Sequence, residues 1–222
     1  MPVMRRMIQW MRQHLELARP SPTEAARYWN QRARQFGPRA VYNLGHSVQE
    51  LGSVDEQQRL VLLPLLRALL DGSVREVLDL GCGTGRFTGV LAELTHGRVK
   101  ALDASRELLA MAPTIANVEY LEGSATSLPF SDEVFDLVWI CLVLGALRGK
   151  DLENACREVL RVTRPGGLLF LVENTSNRPD GPSWAFRSTK VYQSLFQNFD
   201  LKILSSYLDL GETITVMGGR RR

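Results

Sequence analysis

The run Val77-Leu78-Asp79-Leu80-Gly81-Cys82-Gly83-Thr84-Gly85-Arg86-Phe87 constrains the fold of this chain more than any other. It joins an apolar strand, a turn with glycine at every second position, and a helix start. Glycine has no Cβ, so Gly81, Gly83 and Gly85 allow positive φ and let a ligand lie against the peptide planes. A helix opening near Thr84 would aim its unpaired N–H groups at that ligand. Such a strand-turn-helix unit suits a nucleotide-like cofactor and begins a parallel α/β sheet. The G-x-G-x-G spacing puts Arg86 where a dinucleotide fingerprint wants its third glycine, which argues against a bound pyrophosphate. Asp79, on the strand just before the turn, would repel a phosphate and suit a cationic amino-acid group.

The rest of the chain continues the alternation. Apolar strands are predicted at Glu76 to Leu80, Val99 to Leu102, Val118 to Leu121, Phe135 to Ile140 and Leu168 to Glu173, with helices near Gly85 to Leu94, Arg106 to Met111 and Leu152 to Val162. Buried strands joined by crossover helices predict an α/β fold, a Rossmann-like parallel sheet with helices on both faces. Two last strands, Leu201 to Tyr207 and Glu212 to Met217, lie too close in sequence for a crossover and must form an antiparallel C-terminal hairpin. The tail Gly218 to Arg222 is expected to be solvated. Upstream, a helix through Leu60, Leu63, Leu66 and Leu70 should pack on the sheet and stop at Gly72. Before it, Met4, Met7, Ile8, Met11 and Leu15 recur at helical spacing opposite Arg5 and Arg12. That stripe packs on the main domain, on a second copy in a homodimer, or on a membrane surface. A new helix should start around Thr23 and Glu24. Residues 1–54 thus read as an N-terminal helical lid or cap, and residues 55–222 as the main domain.

The charge balance, 27 Lys plus Arg against 24 Asp plus Glu for a net +3, is too small to predict a nucleic-acid partner. No apolar run is long enough to span a membrane, and arginines interrupt the start where a secretory signal would need an apolar core. Cys82, Cys141 and Cys156 are odd in number and not clustered. They predict reduced thiols in a cytoplasmic protein, with no disulfide and no metal site.

The glycine run, together with the segments downstream of it, resembles the first motif of class I S-adenosylmethionine-dependent methyltransferases, and more closely their type 11-like domain. The resemblance extends from about Val77 to Glu173 and implies the seven-stranded fold of that family. It implies S-adenosyl-L-methionine as cofactor and S-adenosyl-L-homocysteine as product. Asp79 would then serve the amino-acid end of the cofactor, with Gly81, Cys82, Gly83 and Gly85 beneath it, and Asp103 with Ala104 would hold the ribose diol. Glu122-Gly123-Ser124-Ala125-Thr126-Ser127-Leu128-Pro129-Phe130 resembles the family's adenine segment, with Ser124 in place of the usual Asp. Ser124 and Ala125 would meet the adenine, and Cys141 with Leu142 would floor the cofactor. Relatives often keep a histidine where this chain has Gly145 and Ala146, so a histidine base there is excluded. Arg164-Pro165-Gly166-Gly167 also fits the family as a structural turn.

Methyl transfer is an in-line displacement whose leaving thioether needs no proton. Positioning carries much of the rate, and a base is needed only if the acceptor must lose a proton. Such groups should come from the N-terminal segment and the late loops. Tyr28 and Trp29 would cover the cofactor or anchor a helix; His46 is a loop residue or a base; Glu173 and Asn174 end the fifth strand beside the pocket; Arg187 comes later in the same region. His46, Glu173 and Asn174 are therefore the catalytic candidates. A small-molecule acceptor is the first expectation. A protein α-N-terminal methyltransferase is the alternative, through Val143-Leu144-Gly145, Glu173-Asn174 and Tyr28-Trp29. A non-catalytic cofactor-binding protein is a third, and a Rossmann dehydrogenase is disfavoured by Arg86 and the antiparallel end.

Overall fold

A computed structural model describes residues 24–222. The stripe of Met4 to Leu15 and the expected helix start at Thr23 lie outside them. Helix α1 (Glu24–Phe36) and two short 3-10 turns lead into α2 (Leu51–Leu69). The alternating body comes next: β1 (Glu76–Leu80), α3 (Thr88–Thr95), β2 (Arg98–Asp103), α4 (Arg106–Leu109), β3 (Val118–Glu122), β4 (Phe135–Cys141), α5 (Gly149–Val162), β5 (Thr163–Asn174), α6 (Thr189–Leu195), β6 (Lys202–Asp209) and β7 (Glu212–Arg220). They build one seven-stranded sheet in the order β3-β2-β1-β4-β5-β7-β6. β1 to β5 are parallel, and β7 runs antiparallel to both β5 and β6.

Both faces of the sheet are apolar because its central strands are apolar at nearly every position. On β4, Leu137 and Trp139 face α2 and α3, while Val138 and Ile140 face α5 and α6. Trp139 stacks on Phe170 of the neighbouring strand, ring centroids 4.8 Å apart, and Phe87 closes over it at 5.3 Å. The β6-β7 hairpin turns on Leu210 and Gly211 alone, both at positive φ (49° and 80°), as a two-residue turn matched to strand twist requires.

Three expectations are corrected. The helix after the glycine turn starts at Thr88, because Gly81, Gly83 and Gly85 sit at φ 73°, 57° and 78° and cannot be helical. On α2 the buried stripe is Val54, Gln58, Leu62 and Leu66, while Leu60 is 69% exposed. That helix carries leucine on all sides, so periodicity alone did not choose a face. Pro64, which has no N–H to give the Leu60 carbonyl, adds a reason for residue 60 to face water. Finally, Gly218 and Gly219 are buried in β7 instead of solvated: a Cβ at Gly219 would stand 2.2 Å from the Asp200 carbonyl, so only glycine lets that strand pass. No helix of the described residues is long and apolar enough to cross a membrane.

Candidate active site

The sheet order reverses beside β1, which has β2 on one side and β4 on the other, and such a switch point leaves a crevice at the carboxyl ends of the strands. A cavity opens there. Asp79, Gly81, Cys82 and Gly83 line it from β1 and its turn, Asp103 and Ala104 from the tip of β2, Ser124 and Ala125 from beyond β3, and Cys141 and Leu142 from β4. Trp29 of α1 covers it. The helix is held there by Asn30, whose Oδ1 accepts from Ser105 Oγ (2.8 Å), and by the packing of Ala33 and Ala40 against Leu108.

Asp103 is buried at the centre. Its Oδ2 accepts the Gly83 N–H (2.8 Å) and its Oδ1 the Ser105 N–H (2.7 Å). Each oxygen keeps a second lone pair. Ser105, not Asp103, caps α4 through its hydroxyl. Burial raises the Asp103 carboxyl from its ordinary value, and these backbone donors partly offset that. Asp79 is 3% exposed and accepts from Thr88 Oγ1 at 2.6 Å. Burial first, then the charge of Asp103, pushes it up to about 7 against the pull of the Thr88 hydroxyl. Neither acid has an ion-pair partner among the described residues. Arg86 also lines the cavity; Asp55 and Gln58 grip it from α2 at 2.5 and 2.7 Å, and it lies 4.0 Å over the Tyr42 ring. Burial drives the Cys82 thiol far up and the Cys141 thiol to about 12, so neither serves as a nucleophile near neutrality.

The turn differs from expectation in where its amides go. Gly81 and Cys82 give their N–H groups to the Leu102 carbonyl (2.7 and 3.2 Å), and Gly83 gives its own to Asp103. Gly85 does not line the cavity: a Cβ there would meet the Tyr120 hydroxyl at 2.7 Å, so this glycine makes room for β3. The turn therefore presents bare backbone and two carboxylates rather than a nest of free amides.

A second cavity of about 330 Å³ adjoins the first and shares Trp29, Val41 and Leu142 with it. Tyr28 lies here and not in the first cavity, with Asn174, Trp184, Phe186, Asp209 and Glu212. Of the three catalytic candidates only Asn174 lines it, and its side chain is tied to Glu212 (2.7 Å). His46 stands behind, its Nε2 2.5 Å from Asp209 Oδ1, so Asp209 faces the cavity and His46 holds it. Glu173 is fully buried and lines neither cavity. Its Oε1 accepts the N–H groups of Val143 and Leu144 (3.0 and 2.7 Å), which sets the loop after β4, and burial pushes its carboxyl up to about 7. Arg187 likewise binds the Leu144 and Leu147 carbonyls (2.9 and 2.5 Å) instead of an acceptor. Sequence reasoning missed Arg86 as a lining residue, and it missed Trp184, Asp209 and Glu212. Asp209 and Glu212 flank a hairpin turn, which was the only available signal.

Residues 78–171 match the model of a family described as a methyltransferase domain. The seven-stranded order and the hairpin agree with this match. The chain carries a class I methyltransferase domain. It is 32% identical over 135 residues to demethylmenaquinone methyltransferase of Chlorobaculum tepidum, covering 60% of this chain and 54% of that protein. It is 33% identical over 147 residues to an uncharacterised methyltransferase of Synechocystis, covering 65% of this chain and 66% of that protein. The chain thus spans about half the length of the demethylmenaquinone methyltransferases it matches. Among solved structures, the methyltransferase fold is shared with the cyclase SpnF (TM-score 0.66, 19% identity, 91% of this chain and 96% of that one). A Pyrococcus horikoshii protein shares it too (TM-score 0.64, 18% identity, 78% and 94%). A cyclase on this fold means that fold alone does not fix the reaction.

Proposed function

We propose that this chain binds S-adenosyl-L-methionine in the cavity at the strand tips and transfers its methyl group to a small-molecule acceptor in the adjoining cavity. The observation that carries the reading is the pair Asp79 and Asp103, two buried carboxylates with no ion-pair partner among the described residues, on one glycine-built crevice. A buried charge left unpaired is costly. A ligand with an ammonium for Asp79 and a diol for Asp103 removes that cost at both ends. Arg86 lines the same end and suits the ligand's carboxylate. Ser124 and Ala125 lie where the adenine would rest. Ser124 Oγ is already engaged by Thr126 (2.8 Å), which favours recognition of the base by shape and backbone. When bound, the cofactor supplies an electrophilic methyl on a sulfonium, and its product is S-adenosyl-L-homocysteine.

The chain's own contribution is positioning, worth up to about 7 to 11 kcal/mol in well-oriented cases. Within the N-terminal segment 1–54, Trp29 and Tyr28 of α1 act as the lid. Asp209, steadied by His46, accepts the proton of an acceptor hydroxyl, which makes His46 a positioning residue. The small acceptor is supported by the demethylmenaquinone methyltransferases among the relatives and by an adjoining cavity of about 330 Å³. The burial of Glu173 removes the acid that a peptide amine reading required. Three free cysteines and the absence of a membrane-length helix among the described residues fit a cytoplasmic location.

Calorimetry on Asp103→Ala tests the cofactor reading. Affinity for S-adenosylhomocysteine should fall by about 1.5 to 3 kcal/mol, as two hydroxyls lose a charged acceptor. Asp103 also organises Gly83 and Ser105, so Asp103→Asn, which keeps an acceptor oxygen, should lose less. Unchanged binding in both variants would discard the reading.

A further inference from the structure

We infer that Trp184, seated on Gly145, is the wall that selects a planar aromatic acceptor. The inference rests on the methyl-transfer reading above and adds the acceptor's class and the residue that reads it.

Gly145 comes after β4 in a short 3-10 turn, Leu144–Ala146. A Cβ there would lie 2.1 Å from Cε2 of Trp184 and 2.2 Å from Cζ2, so the indole occupies the volume that any side chain at position 145 would need. The segment bearing Trp184 has no helix or strand of its own, yet it is stitched in place. Ala185 N–H donates to the Gly145 carbonyl (2.7 Å), Gly181 N–H to the Trp184 carbonyl (2.9 Å), and Phe186 N–H to Asp180 Oδ1 (2.9 Å). Arg187 clamps the next turn through the Leu144 and Leu147 carbonyls. A large side chain fixed this firmly is a preformed surface rather than a flexible filler.

The chemistry of that surface is set by its surroundings. Trp184, Trp29 and Phe186 line the acceptor cavity together, and Trp29 also lines the cofactor cavity. Trp184 has no ring-stacking partner among the described residues, although other aromatic residues of the core do pair. Its Nε1–H is buried on the side turned to Gly145, 2.6 Å from where a Cβ would stand there, so it is the ring and not the donor that the cavity meets. An unstacked indole that lines a cavity together with other rings suits a flat aromatic ring. Asp209, on the same cavity, suits that ring's hydroxyl.

The test uses protein loaded with S-adenosylhomocysteine and two probes of similar size, α-naphthol and its fully saturated, puckered analogue. Wild type should bind α-naphthol about tenfold more tightly, the size of one aromatic pairing. Trp184→Ala should bring the two probes within about twofold of each other while S-adenosylhomocysteine affinity holds, and Trp184→Phe should keep most of the preference. Gly145→Ala should also lose the preference by unseating the indole, and should do no further harm in a Trp184→Ala background. A wild type that binds neither probe, or both equally, overturns the inference. So does a Trp184→Ala protein that discriminates like wild type. Loss of S-adenosylhomocysteine binding by wild type would instead strike the cofactor reading, so the two failures are distinct.

Discussion

The two cavities meet at Trp29, Val41 and Leu142 but are made differently. The cavity proposed for the cofactor is built from the tips of successive parallel strands, so its key groups sit at fixed offsets from apolar runs. The cavity proposed for the acceptor is assembled from α1, the irregular stretch between β5 and α6, and the last hairpin, which are far apart in sequence. One is a property of the sheet, the other of the segments laid over it. Substitutions in the first should therefore act on cofactor affinity, and those in the second on acceptor binding and turnover alone.

The largest effect should come from Gly83→Val. Gly83 sits at φ 57°, and its Cβ would approach Val41 Cγ1 to 2.8 Å. Backbone strain of roughly 1 to 3 kcal/mol adds to a comparable overpacking cost, so cofactor affinity should drop on the order of a thousandfold. Calorimetry on folded protein checks this. Binding at the wild-type level would reduce the turn to a structural loop and end the contrast between the cavities.

How legible each cavity was in the sequence obeys the same division. The strands and Asp103 were readable because short apolar runs between crossover helices mark strands and a strand end fixes where the next side chain points. The amides of the glycine turn were not, because their partners, the Leu102 carbonyl and Asp103, come from another strand. His46 was singled out by residue type alone; only the closing of β6 against the N-terminal loop shows that Asp209 stands between it and the cavity. Glu173 was placed correctly at a strand end, yet the side of the sheet it faces sends its carboxylate to the backbone of Val143 and Leu144. Trp184 lies in a stretch without periodicity, where sequence offers no direction at all.

Asp209→Asn probes the acceptor side. If Asp209 takes a proton from the acceptor, turnover should fall about a hundredfold, at the lower end of what a general base contributes. Affinity for S-adenosylhomocysteine should not move. The readout is S-adenosylhomocysteine release with α-naphthol beside calorimetric affinity. A parallel loss of both would mean that the hairpin supports the cofactor cavity too, and the division would fail.

The mildest and most selective effect is one of pH. Burial pushes the Asp79 carboxyl up to about 7. A group raised in the folded state holds its proton more tightly there than in the unfolded chain. Between about pH 4 and 7 the folded form thus carries the extra proton, and Asp79's contribution to stability declines as pH rises through that window. Cofactor binding has the opposite slope, since the ammonium needs the ionised carboxylate. Affinity should be level above about pH 7 and weaken by up to about tenfold for each unit below it, with proton release on binding. Glu173 also stands at about 7, so pH alone does not say which carboxyl is responsible. Thr88→Val separates them. The Thr88 hydroxyl donates to Asp79 and lowers its value, while Glu173 bonds to Val143, Leu144 and Tyr192. Losing that hydroxyl should raise the midpoint of the affinity curve by up to about one pH unit, roughly the net worth of one hydrogen bond that favours the ionised form. A curve with the same midpoint in Thr88→Val would take the pH response away from Asp79 and assign it to the loop that Glu173 holds.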